Sequence, residues 1–113
     1  MNGYLKEKRS DSTTIEYIQS ILHQNEQSRT CVCGVGILRN KLFVEELKNA
    51  IEQPLFETDF YKNTEALKVA TVRGTIYLML ELNETTKREL ENALNACRQQ
   101  NIGVKGVIAT EQA

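Results

Sequence analysis

Two cysteines one residue apart, Cys31 and Cys33, open the segment TCVCGVGILRN at residues 30–40. Paired thiolates are soft metal ligands and redox groups. On an extended chain, side chains two positions apart share a face, with Cα atoms about 6.5–7 Å apart. That is the outer limit for a disulfide. Zinc asks for four ligands, and the other soft candidates, His23 and Cys97, fall on different predicted helices. A free buried cysteine acts as a small hydrophobe. The sequence therefore predicts core cysteines with no metal and no cofactor. A metal-handling protein using Cys31 and Cys33 is kept as an alternative.

Gly34 and Gly36 follow the cysteines and precede Asn40, which can cap a helix. Glycine-rich backbone before a helix N-terminus can bind an anion. The piece CGVGILR resembles the first loop of the acylphosphatases, a ferredoxin-like enzyme family whose loop presents backbone amides and an arginine to a phosphate. The resemblance implies Gly34, Gly36 and Arg39 as an anion site and a small acyl-phosphate or phosphate-ester hydrolase. The spacing from Gly36 to Arg39 is one residue longer than in that family. If the strand runs on to Leu38, the glycines instead let a helix approach the sheet.

No nucleophile–base constellation stands out. His23, the single histidine, has no acidic or nucleophilic neighbour that marks it as a base. Glu57 and Asp59 sit in the connector PLFETDFYKN and solvate it. The same connector offers Phe60 and Tyr61 as a candidate recognition loop, since long loops often carry function. An RNA-binding sheet would need stacking aromatics on both central strands. The first predicted strand has none and the third has only Tyr77.

The chain has 113 residues, 41% hydrophobic and 26% charged, with a formal net charge of −1. That is one domain's worth of core and no global field for nucleic acid or an anionic membrane. No apolar run reaches the roughly 18–20 residues of a membrane helix. The start, MNGYLKEKRSDS, has no apolar segment of a secretory signal. An odd cysteine count fits reduced thiols. The expected compartment is the cytoplasm.

Those candidate residues need a frame. Residues 1–12 read as a flexible leader and 13–113 as one domain. Thr13 and Glu16 have capping-box spacing, and Ile15, Ile18, Ile21 and Leu22 make an apolar stripe over a helix at 13–24. Residues 30–38 read as a strand apolar on both faces, hence central. A helix follows at 41–53, ended by Pro54. ALKVATV and TIYLMLEL, separated by Arg73 and Gly74, read as a β-hairpin. A last helix at 84–100, carrying Leu90, Ala93, Leu94 and Cys97, leads to a strand in IGVKGVIAT.

The order predicts an α+β fold: a ferredoxin-like βαββαβ antiparallel sheet with an additional N-terminal helix. Lys68 and Lys105 would blunt its edge strands. Both later helices would share one face, leaving Tyr77 and Met79 on the other. A face that apolar must be covered, by the N-terminal helix with Ile15, Ile18 and Leu22, by a second subunit or by a ligand. The functional expectation is a non-enzymatic regulatory or adaptor module. It self-associates as a homodimer and binds a protein partner or small ligand, with no nucleic acid and no membrane. ALNACRQQNIGVKGVIAT resembles ACT-type ligand-sensing domains, which implies a small-ligand regulator.

Overall fold

The computed structural model describes residues 4–7, 12–24, 29–57 and 59–111. The elements in chain order are β1 (Tyr4–Glu7), α1 (Ser12–Gln24), β2 (Thr30–Gly34), α2 (Lys41–Ala50), β3 (Leu55–Phe56), a 3-10 turn (Phe60–Lys62), α3 (Thr64–Arg73), β4 (Thr75–Glu81), α4 (Lys87–Gln100) and β5 (Gly103–Thr110). The five strands form one sheet in the order β1-β5-β4-β2-β3. Every pairing is parallel.

The antiparallel ferredoxin-like sheet is therefore overturned, and the error sits at ALKVATV. This segment is helix α3, not the first arm of a hairpin. The Asn63 side chain accepts the Ala66 N–H at 3.0 Å and caps the helix. Gly74 ends it in the left-handed region at φ 87, donating its N–H to Ala70 O at 2.9 Å. Ala66 and Ala70, one turn apart, are its fully buried side chains. Alternating apolar residues suggest a strand, yet Val72 at the end of that alternation is 80% exposed. With the hairpin gone, β2, β3, β4 and β5 are each joined to the next through helical structure, which permits parallel neighbours.

The sheet is covered on both faces. On one, α1 and α2 bring Ile15, Ile18, Leu22, Phe43, Val44 and Leu47 onto Val32, Tyr77, Met79 and Ile108. On the other, α3, α4 and the 3-10 turn bring Ala66, Ala70, Ala93, Cys97 and Phe60 onto Cys31, Cys33, Ile76 and Leu78. The division follows the period of two: odd and even positions of β2 and β4 feed opposite cores. All five residues of β2 are buried, and so are residues 76–81 of β4. Parallel strands with both faces covered read as nearly continuous apolar runs.

Other expectations shift with the topology. Tyr4–Glu7 pairs with residues 107–110 of β5 as an edge strand. The rest of the leader, 1–3 and 8–11, lies outside the described residues, as do the side chains of Thr13 and Thr14. Helix α1 begins at Ser12, which places Thr13 inside its first turn. Lys68 is on the exposed side of α3, not on an edge strand. Lys105 precedes the part of β5 that β1 covers. Helix α4 starts at Lys87, behind a capping box of Thr86 and Glu89. Among the described residues no helix is long and apolar enough to cross a membrane.

Candidate site at the carboxyl edge of the sheet

In an open parallel sheet, ligands bind outside the carboxyl ends of the strands where the winding reverses. Here β2 leads through α2 to β3 on one side, and β4 leads through α4 to β5 on the other. The reversal lies between β2 and β4. Their outgoing loops are residues 35–40 and 82–86.

The strand stops at Gly34, so GILRN is a loop leading into a helix. Val35 keeps one last sheet bond, N–H to Met79 O at 2.9 Å. A Cβ on Gly34 would stand 2.8 Å from the Glu57 carbonyl oxygen, so the connector after β3 passes against bare backbone. Gly36 turns the chain at φ 74 and donates its N–H to the Asp59 carboxylate. A Cβ there would meet Glu89 Oε1 at 2.6 Å. Both glycines thus answer to close approach and turning.

The loop delivers the backbone N–H groups of Arg39 and Asn40 to one atom, Glu81 Oε1, at 2.8 and 3.0 Å. Glu81 ends β4 and is fully buried. Amides at the start of a helix carry partial positive charge, which suits a carboxylate. Its other oxygen, Oε2, is buried with no hydrogen-bond partner among the described residues. Thr85 closes the turn beyond Glu81. Its Oγ1 accepts the Glu81 N–H at 2.9 Å and donates to Val35 O at 2.9 Å. Asn40 accepts the Phe43 N–H at 3.2 Å and donates through Nδ2 to Thr110 Oγ1 at 3.0 Å. The ends of β2, β4 and β5 are therefore stitched by one polar network.

Arg39 extends outward to Glu84, Nε to Oε1 3.0 Å, and is about half exposed. Glu57 receives Lys48 at 2.7 Å and Lys41 at 4.0 Å. The Glu57 carboxylate raises the Lys48 ammonium above the ordinary lysine value.

The remaining predicted site residues are distributed elsewhere. Cys31 and Cys33 lie side by side, Sγ to Sγ 3.7 Å, fully buried and unbridged. Their contact pushes the Cys31 thiol down, aided by Arg73, and the Cys33 thiol up, aided by burial. Burial pushes Cys97 up to about 11. Among the described residues, no three or more His, Cys, Asp or Glu side chains are grouped to hold a metal. Phe60 is fully buried, whereas Tyr61 is half-buried and packs edge-on against it at 5.7 Å. Tyr77 and Met79 meet Ile15, Ile18 and Leu22 inside the core of one chain. Exposed His23 lines a groove of about 560 Å³ between α1 and residues 50–53, away from the Glu81 network.

The sequence singles out Gly34, Gly36, Arg39 and the Asn40 cap as candidates but not Glu81. The available signal was a carboxylate inside the apolar run TIYLMLEL. A charge there must be paired on burial. No family model, curated protein or solved structure matches this chain in comparisons with known proteins.

Proposed function

We propose that the protein is a non-enzymatic regulatory or adaptor module that binds a partner or small ligand at the carboxyl edge of its sheet. One observation carries this reading. The two amides that a phosphoryl-transfer site would aim at substrate are bonded to the chain's own Glu81. The one loop arginine is paired with Glu84. A hydrolase needs such donors directed at the reacting group. Ile37 and Leu42, which flank Arg39 and Asn40 in sequence, are 55% and 65% exposed. They offer apolar contact for a partner beside the same helix start.

Self-association remains part of the proposal, but the surface that motivated it is occupied, since α1 and α2 cover Tyr77 and Met79. A homodimer would use Ile37 and Leu42 instead. The cytoplasm is the proposed compartment, supported by three free buried thiols.

Two measurements test this. Acetyl phosphate and p-nitrophenyl phosphate should be hydrolysed no faster with the protein than without it; turnover that is lost in Arg39→Ala overturns the non-enzymatic reading. Sedimentation velocity over a hundredfold concentration range should show association that Ile37→Asp with Leu42→Asp weakens. A strict monomer at the highest concentration removes self-association.

A further inference from the structure

The groove of about 560 Å³ lies at the amino edge of the sheet, between α1 and the segment that follows α2. Its volume is that of a small-molecule site. Glu16 and His23, two turns apart, line it from α1, and Ala50, Ile51, Glu52 and Gln53 line it from the other side. Half-buried Ala50 and Ile51 supply apolar surface.

Gln53 shows which group the groove lacks. Its side chain is only 8% exposed. Nε2 is turned inward and donates to Leu22 O at 3.2 Å. Among the described residues nothing donates to Oε1, so the amide leaves an open acceptor at the groove wall. A mostly buried acceptor without a donor is costly, and a ligand N–H would satisfy it. The charges point the same way. Glu16 and Glu52 are exposed, and among the described residues neither carboxylate has an ion pair or a hydrogen bond. Helix α2 ends at Ala50 in the same wall, and the carboxyl end of a helix favours a cation. The described lining holds no lysine or arginine.

We propose that this groove binds a short aliphatic diamine. Its two ammonium groups pair with Glu16 and Glu52, one N–H is donated to Gln53 Oε1, and the methylene chain packs on Ala50 and Ile51. An ammonium group carries three donors and no acceptor, which matches a lining of acceptors. A carboxylate from each side of the groove suits a ligand charged at both ends. The site lies at the edge of the sheet opposite the one named under the proposed function and does not depend on that reading.

The test is an NMR titration of the full chain with 1,4-diaminobutane, butylamine and 1,4-butanediol, at ionic strength matched with sodium chloride. The Gln53 side-chain amide and the backbone amides of Ile51 and Glu52 should shift saturably with the diamine. Butylamine should bind at least tenfold more weakly, and butanediol should produce no shift. Glu16→Gln and Glu52→Gln should each weaken diamine binding at least threefold, with unchanged circular dichroism. Both side chains are exposed and unbonded, so neither change disturbs the core. The proposal is overturned if the diamine gives no saturable shift in the wild type, if butylamine binds as tightly, or if both folded variants bind as the wild type does. Saturable binding of a lysine-bearing tripeptide without binding of the diamine overturns it as well, because the occupant is then a peptide.

Discussion

Asn40 Nδ2 donates to Thr110 Oγ1 at 3.0 Å across seventy residues of sequence. The bond joins the start of α2 to the end of β5, with Glu81 of β4 bonded to the same asparagine's backbone. Two strand ends and a helix start are thereby tied together at the carboxyl edge by polar side chains.

That network should be worth stability as a unit. Replacing Glu81 with Ala leaves the part-buried Arg39 and Asn40 amides without their acceptor and should cost about 2–4 kcal/mol in urea unfolding. Glu81→Gln retains an acceptor and should cost about half as much, on the order of 1–2 kcal/mol. Near-neutral Glu81→Ala would show that the buried carboxylate contributes nothing net.

The helical reading of residues 64–73 has its own test. Asn63→Ala removes the cap on Ala66 and should cost about 1 kcal/mol. Val72→Lys should change stability by less than about 0.5 kcal/mol, because that side chain is 80% exposed on the helix. A hairpin would bury Val72 or its neighbours, and a large loss from Val72→Lys would contradict α3.

Gly36 and Gly74 both have positive φ but differ in surroundings. Among the described residues Gly74→Ala meets nothing within 4 Å, and it should lose the left-handed conformational cost, about 1–2 kcal/mol. Gly36→Ala adds a collision with the Glu89 carboxylate to the same cost and should be the more destabilising of the two. The reverse order in paired denaturation curves would refute the tight loop geometry.

Stability should decline on the alkaline side. Cys97, pushed up to about 11, and Cys33, also raised, hold their protons more tightly folded than unfolded. Their contribution is complete below the unfolded thiol value near 8.5 and is lost as pH rises toward the folded values. Cys31, pushed down, offsets part of this. Unfolding followed from pH 7.5 to 10.5 should show a falling midpoint, with a shallower fall in Cys97→Ala. A midpoint that rises over this range would contradict the sign.

The buried thiols should also be unreactive. An aromatic disulfide reagent should label Cys31, Cys33 and Cys97 only as fast as the chain opens, because each is 3% exposed or less. Rapid labelling of any one in native buffer would show a local opening near β2 or α4.

Much of this architecture was legible in local chemistry. The run TCVCG, apolar on both faces, determined that β2 is central, and the stripe of Ile15, Ile18 and Leu22 determined the buried side of α1. The ends of α3 were also written locally, as Asn63 before the segment and Gly74 after it. Short apolar runs fit a period of two as readily as a buried helix, which is why ALKVATV reads as a strand in sequence yet folds as α3. Strand direction followed from that one error, since a hairpin forces antiparallel pairing and a helical crossover permits parallel pairing. Gly34, Gly36 and Arg39 were visible as a loop candidate because helix starts have recognisable residues. Glu81 was not tied to that loop. Its partners are backbone amides 41 and 42 residues away, and no local pattern specifies which strand end meets which helix start. Which segments are apolar and where helices can begin and end are readable along the chain, because those are properties of neighbouring residues. That the amides of Arg39 and Asn40 are filled from within emerges in three dimensions alone, because the order of parallel strands brings Glu81 beside them.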